Sequence, residues 1–483
     1  MNLQAATASP PVTHPTRGAI MPRVFISAAH KSSGKTTVSL GLCAALNARG
    51  HRVQPFKKGP DYIDPMWLGL AANRPCYNLD FHMMQRREIS QCFGEHAPDA
   101  RISLIEGNKG LYDGLDLDGS NSNAALAKLL GVPVVLVIDA RGMTRGVAPL
   151  VLGYQAFDPE INIAGVILNN LGGSRHESKL RAVIEHYTHI EVIGAVQHDA
   201  SLQIAERHLG LVPANEQQAA RQKMQQVGER IAAQVNLDRV LAIADSAPAF
   251  TWEKAVSRQT VHEPLRIAIA RDQAFGFYYS EDLDTLRASG AELINVDTIR
   301  DAALPAADGL IIGGGFPEVF MDALEANSAL RHNIQAHIER GLPTYAECGG
   351  LMYLAKSIHW KGQTRQMVGS VPGEVVMHDR PVGRGYARLQ PRSQNVWDES
   401  AEIPAHEFHY SSLENMPHDA DYAYKVTRGH GIDGVHDGYV HHNLLAGYVH
   451  RRGSGQHGWI PPFLNQVRAH KDALSQPHRS NQA

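Results

Sequence analysis

Two short stretches of this chain join reactive residue types to turns that can aim them. In LPTYAECGGLMYLA an apolar run meets a glycine turn and then a helical pattern, with Cys348 at the turn. A nucleophile on such an elbow stands above its sheet, and the N–H of the next residue, Gly349, points into the same space and stabilises an oxyanion. The helix N-terminus behind it favours negative charge on the sulfur. Upstream, GLIIGGGFPEVF runs a strand into a glycine loop, and flexible backbone at Gly313, Gly314 and Gly315 can turn a second donor inward.

A thiol nucleophile needs a base. The chain carries 26 histidines, so proximity in sequence does not choose among them. The candidates are His406 and His409 in PAHEFHYSS and His450 in LLAGYVHRR. On an extended segment His406 and His409 face opposite sides, so at most one reaches the elbow. His450 closes an apolar run, and an edge strand there would present it across from Cys348.

The second stretch is SAAHKSSGKTT, between a strand-like and a helix-like run. In a phosphate loop the N–H groups of Ser33, Gly34, Lys35, Thr36 and Thr37 would wrap phosphate oxygens at a helix N-terminus. Lys35 would reach the β/γ-phosphates of ATP, and Thr36 would ligand Mg²⁺. Ala29 stands where the first glycine of such a loop is usual, so a serine-rich helix cap is the competing reading. Asp61 and Asp64 in PFKKGPDYIDP follow the next strand, and Glu106 closes another, LIEG. Carboxylates at the carboxyl ends of parallel strands line the ligand crevice, and hard cations take oxygen ligands. A single loop aspartate is more often a turn-former; three beside GKTT weaken that reading.

Alternating strands and helices must carry these residues. VFISAA, RISLIEG, VPVVLVIDA and INIAGVILNN read as buried parallel strands, so 22–240 is expected to be a parallel-sheet ATP-binding domain. The pattern lapses over 241–263, taken as a linker, and resumes with LRIAIA, AELINV and DGLIIGGG as a second α/β domain over 264–465. Residues 365–450 read as short strands and turns. Residues 1–21 are expected to be a disordered extension and 466–483 a loose tail. The stretch 216–236 reads as a solvated amphipathic helix.

A chain of 483 residues is too long for one core, and two domains of roughly 200 residues are expected. A net charge of −3 gives no basic face for nucleic acid. No apolar run approaches the ~18 residues that span a bilayer. The four cysteines form no CxxC pair, which argues for reduced thiols and a cytoplasmic location rather than a disulfide framework or zinc knuckle.

From about residue 22 to 465 the chain resembles the cobyrinic acid a,c-diamide synthase family. The resemblance lies in PFKKGPDYID, NLD at 78–80, IEGNKGLYDG, AERHLGL, GGGFPE, ECGGLMYL, HEFHYS and GYVH, in that order. It implies a P-loop, dethiobiotin-synthetase-like domain followed by a class I glutamine amidotransferase domain. It implies a cysteinyl thioester that releases ammonia from glutamine, and ATP- and Mg²⁺-dependent phosphorylation of a macrocycle acetate that ammonia then amidates. By the same resemblance Cys348 is the nucleophile and His450 its activator, with Gly314, Gly315 and Gly349 at the oxyanion. Lys35 and Thr36 handle ATP, Asp61, Asp64 and Glu106 surround the metal and phosphates, and Tyr62, Ile63 and Asp113 lie nearer the carboxylate substrate.

Three departures stand out: the glycine-poor phosphate loop, Asn108–Lys109 in IEGNKG, and Arg451–Arg452 after His450. Many class I glutaminases carry a Glu two residues after the catalytic histidine, a role Arg452 cannot fill. The site is then a Cys–His dyad, or an acid from elsewhere holds the ring. The expected partner is an anionic tetrapyrrole, cobyrinate or hydrogenobyrinate, with siroheme or sirohydrochlorin as the variant substrate; a homodimer is also expected. The reading from another class is a P-loop regulatory ATPase joined to an inactive glutaminase domain.

Overall fold

The computed structural model describes residues 14–15, 18–202, 204, 206–207, 210–216, 219–254, 263–392, 397 and 401–475. The chain divides into two compact units, one of residues 1–214 and 219–259, the other of 215–218 and 260–483.

The first unit is built on seven strands: β1 (Arg23–Ala28), β2 (Val53–Lys58), β3 (Tyr77–Leu79), β4 (Ile102–Glu106), β5 (Val134–Asp139), β6 (Ile163–Leu171) and β7 (Val192–Gln197). Their order is β3-β2-β4-β1-β5-β6-β7, and every pairing is parallel. β1, β2, β4 and β5 are buried at every position, which is why they read as continuous apolar runs rather than alternating ones. From β1 the chain runs toward β2 on one side of the sheet, and from the adjacent β4 it runs toward β5 on the other. The loops after β1 and β4 therefore open side by side at the carboxyl ends, where such sheets bind ligands.

Helix α1 (Lys35–Ala48) follows β1, and α2 (Ile63–Ala72) follows β2. The amphipathic stretch forms α3 (Ala220–Ala232), whose Met224, Val227 and Ile231 are buried. Contact with α1 is close: a Cβ on Gly41 would lie 2.1 Å from Ile231 Cγ1, and one on Gly228 2.8 Å from Ala44 Cβ. Only the polar face of α3 is solvated; residues 217–218 of the expected helix lie outside the described residues.

Three boundaries differ from the sequence expectation. Helix α4 (Leu237–Asp245) carries the first unit past residue 240, and Phe250 is buried with its backbone paired to Ala19 at 3.0 and 2.9 Å. The buried Arg23 guanidinium donates to the carbonyls of Met21, Leu130 and Pro248 at 2.8–2.9 Å, which fixes this stretch to the sheet. Residues 241–250 are thus part of the first unit, and 18–21 lie against them; most of the expected N-terminal extension lies outside the described residues. At the other end, α6 (Ile460–Ser475) continues through 466, with Ile460, Phe463, Leu464 and Val467 buried at helical spacing; residues 476–483 lie outside the described residues.

The second unit holds a nine-stranded sheet. Its strands are β8 (Leu265–Ala270), β9 (Ala291–Val296), β10 (Gly309–Ile312), β11 (Thr344–Glu347), β12 (Gly383–Pro391), β13 (Ile403–His409), β14 (Tyr422–Arg428), β15 (His436–His441) and β16 (Leu444–Gly447). The order is β9-β8-β10-β11-β16-β15-β14-β12-β13. The strands from β9 to β16 are parallel and the rest antiparallel. A four-stranded sheet from residues 357–377 and 411–414 lies outside it. Helix α5 (Gly349–Leu354) follows β11 directly, and all its residues are buried. Among the described residues no helix is long and apolar enough to cross a membrane.

Candidate active site

In the first unit the phosphate loop ends in Gly34, the N-cap of α1, which adopts a left-handed φ of 83° with no side chain capping the helix. The helix N-terminus is therefore open to an anion. Glycine is required there by space as well: a Cβ would lie 2.0 Å from Asn169 Nδ2. That amide, at the end of β6, donates to the Ser33 carbonyl at 2.9 Å. The Ser33 hydroxyl donates to the His30 carbonyl at 2.8 Å, Ala29 N–H to Val137 O at 3.1 Å, and the Tyr154 hydroxyl to Ala29 O. The loop is tied down by its neighbours, which offsets the glycine missing at position 29.

Behind the loop four of the expected residues meet. Thr36 Oγ1 donates to Glu106 Oε1 at 2.6 Å. Lys57 Nζ lies 3.1 Å from the same oxygen and 2.5 Å from Asp64 Oδ2. Asp61 Oδ1 accepts the N–H groups of Ile63 and Asp64 at 2.8 and 3.2 Å, shaping the first turn of α2. Burial and the neighbouring Asp64 charge push Asp61 up to about 7. Burial works against Asp64 as well, but the Lys57 ammonium in contact with it holds its carboxyl below the ordinary range. Burial, then Lys57, lowers Lys35. Glu106 Oε2 is buried and has no hydrogen-bond donor. A carboxylate oxygen left so is costly unless a cation takes it, and with the Thr36 hydroxyl beside it the donor set fits Mg²⁺.

The remaining first-unit candidates sit close by. Tyr62 is the buried N-cap of α2 and Ile63 its buried first residue. Asp113 is exposed, and its Oδ2 accepts Gly110 N–H at 2.9 Å. Thr37 lies half-buried in the first turn of α1. Sequence reasoning missed Lys57, Asn169 and Asn123. The Asn123 amide donates to Gly110 O at 2.8 Å and to Asn108 O, and its carbonyl accepts Asn108 N–H at 3.2 Å, so it shapes the IEGNKG loop. Lys57 had a signal, the double lysine ending a buried strand; the two asparagines had none.

In the second unit Cys348 is the hinge between β11 and α5, with φ 48° and ψ −105°. A non-glycine residue so far from the common wells is a strained elbow. Gly349 and Gly315 meet there: a Cβ on Gly349 would lie 2.8 Å from Gly315 N, and one on Gly314 2.8 Å from His450 Cε1. The three expected oxyanion glycines thus lie together at the elbow, beside the imidazole. Gly313 N–H is spent on the Tyr278 hydroxyl at 2.9 Å.

His450 reaches Cys348, though not from an edge strand. β16 lies inside the sheet between β11 and β15, and it ends at Gly447, opposite Glu347. The segment beyond β16 bridges to β13, with His450 N–H donating to His406 O at 2.8 Å and His406 N–H to His450 O at 3.1 Å. The two rings stack, centroids 4.9 Å apart. Burial acts against charge on His450, but the charge of Cys348 first, and then the nearby Glu347 carboxylate, outweigh it and hold the imidazole up to about 10. Arg452 is occupied by Glu281 at 2.7 Å. His409 faces elsewhere: it stacks on Tyr448, pairs with Glu407 at 3.5 Å, and its Nδ1 meets Ser411 O at 2.8 Å.

An ATP-type loop and a cysteine–histidine elbow in one chain narrow the field, and comparison with known proteins decides it. Residues 25–212 match the CobQ/CobB/MinD/ParA nucleotide binding domain, and 266–455 match the CobB/CobQ-like glutamine amidotransferase domain. A cobyrinate a,c-diamide synthase of Magnetococcus marinus is 45% identical over 95% of this chain and 99% of its own length. The chain belongs to the cobyrinate a,c-diamide synthase family. A Methanosarcina acetivorans member is 41% identical over 91% of this chain and 94% of its own, and one from Archaeoglobus fulgidus 40% identical over 89% and 94%. As a member of this family the protein is a glutamine-hydrolysing carbon–nitrogen ligase, α/β in both halves, that forms amides with a nucleotide-binding domain and a glutamine amidotransferase domain.

Proposed function

We propose that this protein converts the a and c acetate carboxylates of cobyrinate, or of its metal-free counterpart hydrogenobyrinate, to amides with ATP and glutamine. The reading is carried by the meeting of Cys348, His450 and the three glycines at one elbow, in a chain that spans its cobyrinate-amidating relatives almost end to end.

In the glutaminase half, His450 takes the Cys348 proton and the thiolate attacks the glutamine amide carbon. N–H groups at Gly349 and the Gly314–Gly315 turn stabilise the oxyanion. The imidazolium then protonates the leaving nitrogen as the C–N bond breaks, giving ammonia and a thioester. Water, deprotonated by His450, hydrolyses the thioester to glutamate and restores the thiol.

In the synthetase half, a substrate carboxylate oxygen attacks the γ-phosphorus of ATP, and ADP leaves. Lys35 and the open N-terminus of α1 hold the phosphates in line. The nitrogen lone pair of ammonia attacks the acyl phosphate carbon, phosphate departs with the C–O electron pair, and the nitrogen loses a proton. Glu106 and Thr36 would hold Mg²⁺, with Asp61 and Asp64 alongside, and the bound ion supplies charge neutralisation on the phosphate oxygens. Lys57 holds Glu106 and Asp64 in place through its contacts with both.

Product analysis by mass spectrometry with ATP, Mg²⁺ and either glutamine or ammonium chloride tests this, using cobyrinate, hydrogenobyrinate and sirohydrochlorin as substrates. Diamides of the first two are expected. Cys348→Ser is expected to form them from ammonium only. Amidation confined to sirohydrochlorin would overturn the substrate assignment, and loss of both nitrogen sources in folded Cys348→Ser would overturn the division of labour.

A further inference from the structure

We propose that Glu347, the residue before the nucleophile, is the positioning residue that orients the His450 imidazole toward Cys348. The inference deepens the glutaminase reading of the Cys348–His450 pair and rests on it.

Glu347 is the last residue of β11 and is buried. One oxygen, Oε1, accepts Arg451 N–H at 2.9 Å and the Tyr345 hydroxyl. Tyr345 lies two residues back on the same strand and so shares its face. With Oε1 held, Oε2 stands 3.4 Å from His450 Nδ1. That spacing is longer than an ordinary hydrogen bond, as catalytic contacts often are before substrate binds. An Nδ1–H aimed at Glu347 fixes the tautomer and leaves the other ring nitrogen for the sulfur. The carboxylate therefore does two things at once. It orients the ring, and through Arg451 N–H it pins the backbone that carries the ring.

Arg452, two residues beyond His450, has no such part, because its guanidinium is held by Glu281 at 2.7 Å. The other side of the imidazole is closed by the stacked His406, whose Nδ1 meets the Tyr279 hydroxyl at 3.3 Å, and by Gly314. The acidic group that meets the ring is Glu347. When His450 takes the thiol proton, the positive ring lies between sulfur and Glu347, and both favour that charge. Removal of the Glu347 charge makes the imidazolium easier to deprotonate, so glutamine turnover should fail at lower pH.

The test uses the full chain and two readouts: the pH profile of glutaminase kcat/KM, and the pH profile of Cys348 alkylation by iodoacetamide, resolved by peptide mass. Glu347→Gln is expected to lower kcat on the order of 10-fold, to move the alkaline limb of the glutaminase profile down by about one pH unit or more, and to raise the pH at which alkylation reaches half its maximal rate, because the thiolate loses imidazolium support. Should that variant not fold, Glu347→Asp carries the test: its retracted carboxylate is expected to cost roughly 3-fold or more in kcat, with a smaller downward shift. Wild-type rate and limb in the folded variant would overturn the proposal. So would a lower rate with an unmoved limb, which marks a merely structural residue. Alkylation needs no glutamine, so a chain that hydrolyses none would sink the glutaminase reading while still reporting on Glu347.

Discussion

The backbone N–H of Cys348 donates to the carbonyl of Gly447 at 2.8 Å. This one bond joins the tip of β11, which carries the nucleophile, to the tip of β16, three residues before the histidine. His450 therefore reaches the sulfur through the interior of the sheet. His450→Asn is expected to suppress glutamine hydrolysis on the order of 100-fold or more, the scale for losing a general base. His409→Asn is expected to cost less in turnover, because that ring is engaged by Glu407, Ser411 and Tyr448. His406→Asn should fall between them, since it removes the ring stacked on the imidazole. Glutaminase assays of the three variants check the ranking, and collapse in His409→Asn with normal turnover in His450→Asn would reverse it.

Lys35→Ala is expected to abolish amidation from either nitrogen donor while basal glutamine hydrolysis continues. The lysine opens α1 within the field of Asp61, Asp64, Glu106 and Lys57, and its loss removes charge stabilisation from the transferred phosphoryl group. Parallel measurement of ADP, glutamate and amide product checks this. Undiminished amidation would place the phosphate site elsewhere.

Glu106→Gln is expected to raise the Mg²⁺ concentration for half-maximal amidation by roughly 10-fold or more, the scale usual for disturbing a metal's surroundings. The motive is the buried Glu106 Oε2, which lacks a donor among the described residues. A Mg²⁺ titration of amide formation reads the effect, and chelation of the ion in the wild type should stop amidation without stopping glutamine hydrolysis. An unchanged Mg²⁺ requirement in the variant would remove Glu106 from the metal.

Much of this was legible in the sequence, and what was not has physical reasons. The parallel strands announced themselves as buried Val- and Ile-rich runs, and the Cys348 elbow as a strand, a glycine turn and a helix. Glu347 was hidden because neighbours on a strand face opposite sides, so an acid beside the nucleophile looks wrongly aimed. The strained elbow at φ 48° turns Cys348 out of that alternation, and both residues reach the same imidazole. β16 looked like an edge strand because its partner β11 lies about a hundred residues away in sequence, and no local pattern records that pairing. The stretch after 240 resembled a linker because what fixes it includes Arg23, a single cation far upstream that binds the Pro248 carbonyl. Pro461 and Pro462 obscured the start of α6, yet proline is tolerated in a first helical turn.

The central claim is that one chain releases ammonia at Cys348 and spends it on a tetrapyrrole carboxylate activated by ATP. Glutamine labelled with ¹⁵N in its side-chain amide, supplied with ATP, Mg²⁺ and cobyrinate, tests this directly by mass spectrometry of the tetrapyrrole. The account predicts that ¹⁵N appears in both new amides, and that Cys348→Ser abolishes the label. Labelled ammonia accumulating in solution beside an unmodified macrocycle, with ATP consumed at the same rate whether or not cobyrinate is present, would contradict it.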